Sequence, residues 1–305
     1  MQKPKVIVIL GQTATGKSDL AVKIALRLRS GQAQKYGGEV ISADSRQVYR
    51  GLDLGTGKIT KKEMKGVPHY LLDIANPKKQ FTAFEYQKKA IYAMAEIIKR
   101  CKVPIICGGT GFYIDAVVNG TIFPEVPPSL KLRKSLAKKT KEELFEILKK
   151  LDKNRARDIK NKNEQNNKVR LIRAIEIAKT LGKVPPHRSC LCGNYKFVKI
   201  GLYLPDEILK QKIEKRLLSR IKKGMLAEIK NLHKNGLSWK RMEELGLEYR
   251  YISQYLQNQI TKQEMLKKLN SEIFKYAKRQ MTWFKRDKEI KWFDVSKKIN
   301  LAKII

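Results

Sequence analysis

The chain of 305 residues predicts an α/β fold: a three-layer core on a mostly parallel sheet, with an all-α insertion domain and C-terminal helices. Three observations predict it. Short apolar runs, among them Val6-Ile7-Val8-Ile9-Leu10 and Val103-Pro104-Ile105-Ile106-Cys107, alternate with stretches of helical period, the pattern of strand–helix–strand units. The first run opens directly into a glycine-rich loop and then a helical pattern. After Pro124 the apolar spacing is helical only, until a strand pattern returns near Phe197.

Residues 6–10 form a buried first strand that ends on Gly11. A helix starts at Ser18 with Leu20, Ile24 and Leu28 on one face and ends near Ser30; residues 31–38 are a loop. Residues 39–42 form a second buried strand, which delivers Asp44 to its carboxyl end, where parallel sheets collect ligands. Residues 51–65, rich in Gly and Lys, form a loop over that end, and residues 70–74 a third strand. Thr82-Ala83-Phe84-Glu85 is a capping box: the Thr oxygen and the Glu carboxylate satisfy free N–H groups at the start of a helix that runs to about Arg100. The fourth strand, residues 103–107, ends in Gly108-Gly109-Thr110-Gly111, and Thr110 is placed as an N-cap.

Glu125-Val126-Pro127-Pro128 is a stiff junction. A second capping box, Thr140-Lys141-Glu142-Glu143, heads Leu144, Ile147, Leu148 and Leu151; Val169, Ile172, Ile175 and Ile177 lie on a third helix closed by Gly182. Residues 124–194 are thus the helical insertion, and residues 1–123 with 195–305 the core. Residues 197–204 return to the main sheet as a strand. One long helix then carries Leu209, Ile213, Leu217, Ile221, Met225 and Ile229 at i+4 spacing, with Arg216 beside the stripe. The final helix starts at a third capping box, Thr261-Lys262-Gln263-Glu264, and continues through Ile273, Ala277 and Phe284.

Lys and Arg number 66 against 29 acids, a formal net charge of +37. Such an excess points to a polyanionic partner, unless a Lys-rich proteome supplies part of it. Of the four cysteines, only Cys190 and Cys192 are close, so a four-ligand zinc site is not expected, and Cys107 reads as core. No charged leader precedes a long apolar segment and no run has membrane-spanning length. The expectation is a soluble cytoplasmic protein with reduced thiols and no membrane contact.

Gly11-Gln12-Thr13-Ala14-Thr15-Gly16-Lys17-Ser18 matches G-x-x-x-x-G-K-[ST] between a strand and a helix, the context that makes this P-loop motif credible. Its glycines let backbone N–H groups turn inward on a phosphate, and the helix N-terminus adds to their pull. Lys17 supplies a point charge, and the Ser18 hydroxyl is the candidate ligand for Mg²⁺. A small-molecule kinase or an RNA-binding NTPase would use the same loop. Against both, the strand at 103–107 ends in glycines rather than in an Asp for Mg²⁺, although Asp73 could serve; and a metabolite kinase has no use for +37.

Ile41-Ser42-Ala43-Asp44-Ser45-Arg46-Gln47-Val48-Tyr49-Arg50-Gly51 after that loop, with Gly108-Gly109-Thr110-Gly111-Phe112-Tyr113, Arg170-Leu171-Ile172-Arg173-Ala174-Ile175-Glu176 and Ala277-Lys278-Arg279-Gln280-Met281-Thr282-Trp283-Phe284, resembles the bacterial type of the tRNA dimethylallyltransferase family. The blocks come in the family's order and cover nearly the whole chain. The resemblance implies transfer of a dimethylallyl group from dimethylallyl diphosphate to N6 of the adenosine 3′ of the anticodon in tRNA, with Mg²⁺; a monomer is the expectation, although the sequence does not reveal the oligomeric state. It implies that residues 11–18 hold the diphosphate, that Asp44 is the base, and that Thr110 and Arg216 serve the reaction. Without it, Asp44 reads equally as a metal ligand or loop cap, and Arg216 as a solvated arginine.

The resemblance further implies tRNA contacts by Asp44, Ser45, Arg46, Gln47, Thr110 and, more loosely, Arg133. It adds Val169, Arg170, Leu171, Ile172 and Arg173 in the insertion and Leu245, Gly246, Leu247, Glu248, Tyr249 and Arg250 near the C-terminus. For Lys278 and Arg279, contact with RNA and bracing of the core both stay open. The chain departs from the family pattern at Gln12, where proline is common and no side chain is expected to be needed, and at Leu247-Glu248, where a single residue is frequent. The eukaryotic C-terminal zinc finger is missing. An adenylate isopentenyltransferase, which shares the loop and the Asp44 block but uses a free nucleotide, is the sister reading.

Overall fold

The computed structural model describes residues 3–30, 37–161, 163–184 and 194–297; Cys190, Cys192 and most of the expected 31–38 loop lie outside them. The chain divides into two compact units, Met1–Gly120 with Leu191–Ile305, and Thr121–Cys190.

Among the described residues of the first unit, six strands form one sheet in the order β3-β2-β4-β1-β5-β6: β1 (Lys5–Gly11), β2 (Gly38–Ala43), β3 (His69–Tyr70), β4 (Val103–Gly108), β5 (Lys196–Tyr203) and β6 (Lys291–Asp294). Every pairing is parallel. The central strand β1 has no polar alternation because both of its faces are covered. Val6, Val8 and Leu10 enter one core and Ile7 and Ile9 the other, as the two-residue period of a strand requires. Helix α1 (Lys17–Ser30) covers Ile7 and Ile9 with Leu20, Ala21, Ile24 and Ala25. On the other face lie α3 (Ala83–Lys99), α4 (Gly111–Val118), α9 (Asp206–Lys222) and α13 (Lys262–Phe284). Each fully buried aliphatic side chain contributes about 1.5–3 kcal/mol.

Several elements differ from expectation. The third strand stops at Tyr70 because Leu71 and Asp73 take positive φ, at 63° and 56°. The loop over the site contains a short helix, α2 (Lys61–Met64), started by a capping box of Thr60 and Glu63. The helix expected to run past Met225 is two helices, α9 and α10 (Met225–Lys234), broken where Gly224 takes φ 101°. Helices α11 (Trp239–Leu245) and α12 (Leu247–Leu256) and the edge strand β6 add elements that the periodicity did not predict.

In the second unit the described residues form four helices and no strand, as the helical pattern predicts: α5 (Leu130–Ala137), α6 (Lys141–Leu151), α7 (Lys153–Asn161) and α8 (Lys168–Leu181). Leu136, Leu144, Leu148, Ile159, Leu171 and Ile175 form its core. One carboxylate is buried with them. Glu176, with a side chain 1% exposed, accepts from Arg133 Nε and Nη2 (3.1 and 2.8 Å), Arg173 Nη1 (2.5 Å) and the Ser129 N–H (2.6 Å). Among the described residues no helix is long and apolar enough to cross a membrane.

Candidate active site

The loop after β1 folds around Gly11, Ala14 and Gly16, at φ 134°, 63° and 81°. A Cβ on Gly11 would stand 2.1 Å from the Leu202 carbonyl oxygen, so glycine is required where β1 and β5 run side by side. The Thr15 hydroxyl donates to the Gln12 carbonyl (2.8 Å), as does Lys17 Nζ (2.6 Å). Gln12 corrects the expectation that its side chain is idle: it is 2% exposed, and its Oε1 accepts from the Leu204 N–H (3.3 Å). Burial is the main cause that lowers the Lys17 ammonium to about 8; Cys107 and Asp44 oppose it and Arg216 adds to it. Beneath the loop Cys107 is buried in the core, as expected, at the edge of the site, and that burial pushes its thiol up to about 11.

Asp44 follows β2. Its Oδ1 accepts from the N–H groups of Arg46 (2.8 Å) and Gln47 (3.2 Å), so one oxygen caps the turn. Thr110 occupies the N-cap position of α4 without capping it. Its hydroxyl reaches across instead, accepting from the Ser45 N–H (3.0 Å) and donating to Ser45 Oγ (3.3 Å). The turn with Asp44 is therefore braced from β4.

Arg216, on α9, donates to the Gly57 carbonyl (3.1 Å), and a Cβ on Gly57 would lie 2.2 Å from its Nη2. Burial first, then the nearby Arg220, lowers its guanidinium from the ordinary range. The loop that carries Gly57 is held from α9 and α10. Glu228 accepts from the N–H groups of Asp53, Leu54 and Gly55 (3.2, 2.6 and 3.0 Å) and from the Tyr249 hydroxyl (3.1 Å). Arg220 donates to the carbonyls of Leu54 and Gly55 and to Glu248.

These parts enclose two adjoining cavities. One, of about 410 Å³, is lined by Gly16, Lys17, Ser18, Asp19, Gln47 and Gln280 among others. The second, of about 300 Å³, is lined by Ser45, Arg46, Arg220, residues 245–251 and Arg279. Thr13, Ala14, Asp44, Thr56, Arg216 and Tyr276 line both. The arrangement suits a phosphate-bearing ligand in the first cavity whose reacting end meets Asp44, and an acceptor entering through the second.

The IPP transferase family model matches residues 47–287. The chain belongs to the IPP transferase family. It is 44% identical over 284 residues, 92% of this chain and 91% of the relative, to tRNA dimethylallyltransferase 2 of Treponema denticola. To tRNA dimethylallyltransferase 1 of Syntrophus aciditrophicus it is 41% identical, covering 92% of this chain and 89% of the relative. The crystal structure of the tRNA isopentenylpyrophosphate transferase of Bacillus halodurans is similar with a TM-score of 0.71, 33% identity and coverage of 99% and 93% of the two chains. A eukaryotic dimethylallyltransferase captured acting on tRNA gives a TM-score of 0.78 at 25% identity, over 98% of this chain and 75% of that one. The α/β fold with its mostly parallel sheet is the fold of these enzymes.

Within this family frame, the expected residues separate into several kinds. Asp44, Ser45, Arg46, Gln47, Arg216, Thr13, Ala14, Gly16, Lys17, Ser18 and residues 245–250 border the cavities, whereas Gly11, Gln12, Thr15 and Thr110 are not in their linings. Arg46 is already engaged, its Nε donating to the Leu245 carbonyl (2.7 Å). Glu248 and Tyr249 are buried and tied to Arg220 and Glu228, and Gly246 and Leu247 before them take positive φ. In the helical unit Val169 is exposed at 77% and Arg170 pairs with Glu164. Ile172 is half-buried, and Arg133 and Arg173 are committed to Glu176. Leu171 is fully buried in the core of the helical unit. Lys278 pairs with Asp206, whereas Arg279 borders the second cavity.

Sequence reasoning missed Glu228, Arg220 and Tyr276; their helical periodicity is visible, but their partners lie far away in the chain. For Mg²⁺, the donor set is spare. Ser18 is exposed on the first cavity beside Asp19, and the described residues hold no cluster of three metal-ligating side chains. The exposed Ser18 hydroxyl, in the lining that also holds Lys17, is the donor that fits such an ion.

Proposed function

We propose that the chain transfers a dimethylallyl group from dimethylallyl diphosphate to N6 of the adenosine 3′ of the anticodon in tRNA, releasing diphosphate, as a cytoplasmic monomer. The observation that carries this reading is the shared wall of the two cavities, which puts Asp44 and Arg216 between the loop of residues 11–18 and the opening bordered by residues 245–250.

The loop N–H groups and Lys17 bind the diphosphate of the donor. As the allylic C–O bond breaks, negative charge grows on the leaving diphosphate, and Lys17 and Arg216 stabilise it; such preorganised groups contribute about 3 kcal/mol each. A bound diphosphate would raise the Lys17 pKa again, against the burial that lowers it to about 8. Ser18 would hold Mg²⁺, which would supply further charge neutralisation when bound. The lone pair of N6 forms the new C–N bond, and Asp44 accepts the N6 proton. Two N–H groups fix one carboxylate oxygen and so orient the other. Thr110 holds this turn through Ser45.

The adenine must leave the anticodon stack, at a cost of a few kcal/mol. Ser45, Gly246, Leu247 and Arg250 border the second cavity and receive it, with Arg46 ordering that rim and Gln47 lining the first cavity behind Asp44. Val169 and Arg170 on the helical unit contact the stem, and most other lysines add field. The test is to incubate the protein with radiolabelled dimethylallyl diphosphate and Mg²⁺, offering unmodified tRNA or AMP. Label in tRNA alone is expected. Label in AMP would make it an adenylate isopentenyltransferase, and ATP consumption with neither acceptor labelled would make it a kinase or NTPase.

A further inference from the structure

We propose that Gln280 is a positioning residue, a single buried amide that sets the phosphate loop against the β4 exit and so fixes donor geometry. The inference rests on the reading above, in which that loop holds a diphosphate.

Strands β1 and β4 are neighbours in the sheet, and the segments that leave them both need their backbone groups satisfied. Gln280 on α13, 6% exposed, serves both at once. Its Oε1 accepts from the Thr13 N–H (2.7 Å), and its Nε2 donates to the Gly109 carbonyl (2.8 Å). A carboxamide has a donor and an acceptor on one planar group, so these two contacts also fix which way it faces. A Cβ on Gly109 would stand 2.2 Å from Nε2, so that glycine makes room for this amide. The residue before Thr13 is pinned in the same way, through Gln12 to Leu204. Thr13 and Ala14 line both cavities, so their placement bears on the donor and on its distance from Asp44.

Neutrality matters as much as reach. A glutamate would accept from Thr13 but offer Gly109 no donor, and would bring negative charge towards the diphosphate. A methionine would fill the same space without either bond. A residue that only braced the fold would lower the melting temperature and leave the folded fraction's constants alone.

The test measures kcat and KM for donor and for tRNA on the full-length Gln280→Met and Gln280→Glu variants, with inorganic pyrophosphate affinity by calorimetry and melting by circular dichroism. Expected for Gln280→Met is a rise of about tenfold in donor KM and pyrophosphate Kd and a fall of about tenfold or more in kcat, with tRNA KM within about threefold. Gln280→Glu should bind pyrophosphate more weakly still. If either variant fails to fold, Gln280→Asn, which keeps the amide but shortens its reach, decides by a rise of about threefold or more in pyrophosphate Kd. Folded variants with wild-type pyrophosphate affinity and donor constants overturn the proposal. Wild-type protein that binds no pyrophosphate overturns the underlying reading, and this one with it.

Discussion

Replacing Glu176 by Gln removes a carboxylate from the middle of the helical unit, where it faces two arginines and the Ser129 N–H. Removing one partner of a buried ion pair costs about 3–5 kcal/mol. Here the carboxylate is 1% exposed but Arg133 and Arg173 are 37% and 34% exposed. Water therefore takes up part of the stranded charge, and the expected loss is about 2 kcal/mol, or about thirtyfold in the opening equilibrium. A pH experiment probes the same carboxylate. Burial pushes its pKa up, yet hydrogen bonds from Arg133, Arg173 and Ser129 outweigh that and hold it at about 2 instead of 4.5. A depressed folded pKa gives stability that is present above 4.5 and lost as pH falls towards 2.

The assay exploits composition: residues 121–190 contain no Trp or Tyr, whereas Trp239, Trp283 and Trp292 all belong to the other unit. Tryptophan fluorescence thus follows the core, and helical circular dichroism follows both units. Urea melts at pH 7 should show the helical signal of Glu176→Gln moving to lower urea while the fluorescence transition stays. The wild-type helical transition should move the same way at pH 3, and the mutant's much less. A mutant within about 0.5 kcal/mol of wild type at pH 7, or a wild type indifferent to acid, would refute the reasoning.

Asp44→Asn should lower kcat by about a hundredfold or more, with tRNA affinity within a few fold in a filter-binding assay; a normal rate removes the base role. Gly57→Ala forces a Cβ into Arg216 and strains a backbone at φ 60°, so donor turnover should fall by about tenfold or more while the protein still melts cooperatively. Thr110→Val deletes the acceptor for the Ser45 N–H and should lower kcat more than donor KM, as steady-state kinetics would read. Affinity for tRNA should fall steeply with salt as phosphate contacts release counterions; a flat titration would assign the net charge of +37 to composition alone.

The central strands and their loops were legible because a strand buried on both faces is a plain apolar run, and topology alone put Asp44 beside the phosphate loop. The third strand was overread: Leu71, Leu72 and Ile74 are apolar enough, but positive φ at Leu71 and Asp73 bends the chain out of the sheet. The break at Gly224 was hidden because the apolar stripe resumes in register at Met225. Thr60-Lys61-Lys62-Glu63 carries the same capping-box signal that was read at three other helices, and was legible though unread. Edge strand β6 is half-exposed and lacks an apolar run. Gln280 and Glu228 have partners 267 and about 174 positions away, a relation that no local window contains.

The sheet order has a consequence for how the chain is made. Strand β1 pairs with β5 from Lys5↔Lys196 onward, so the middle of the sheet stays open on one side until some two hundred residues have left the ribosome. Helices α5 to α8 are translated during that wait, and their partners are close in sequence, which favours rapid closure. The inserted unit can therefore be complete before the catalytic half has its fifth strand. A stalled nascent chain ending just before β5 should already protect α5 to α8 from protease while β1 is still cut.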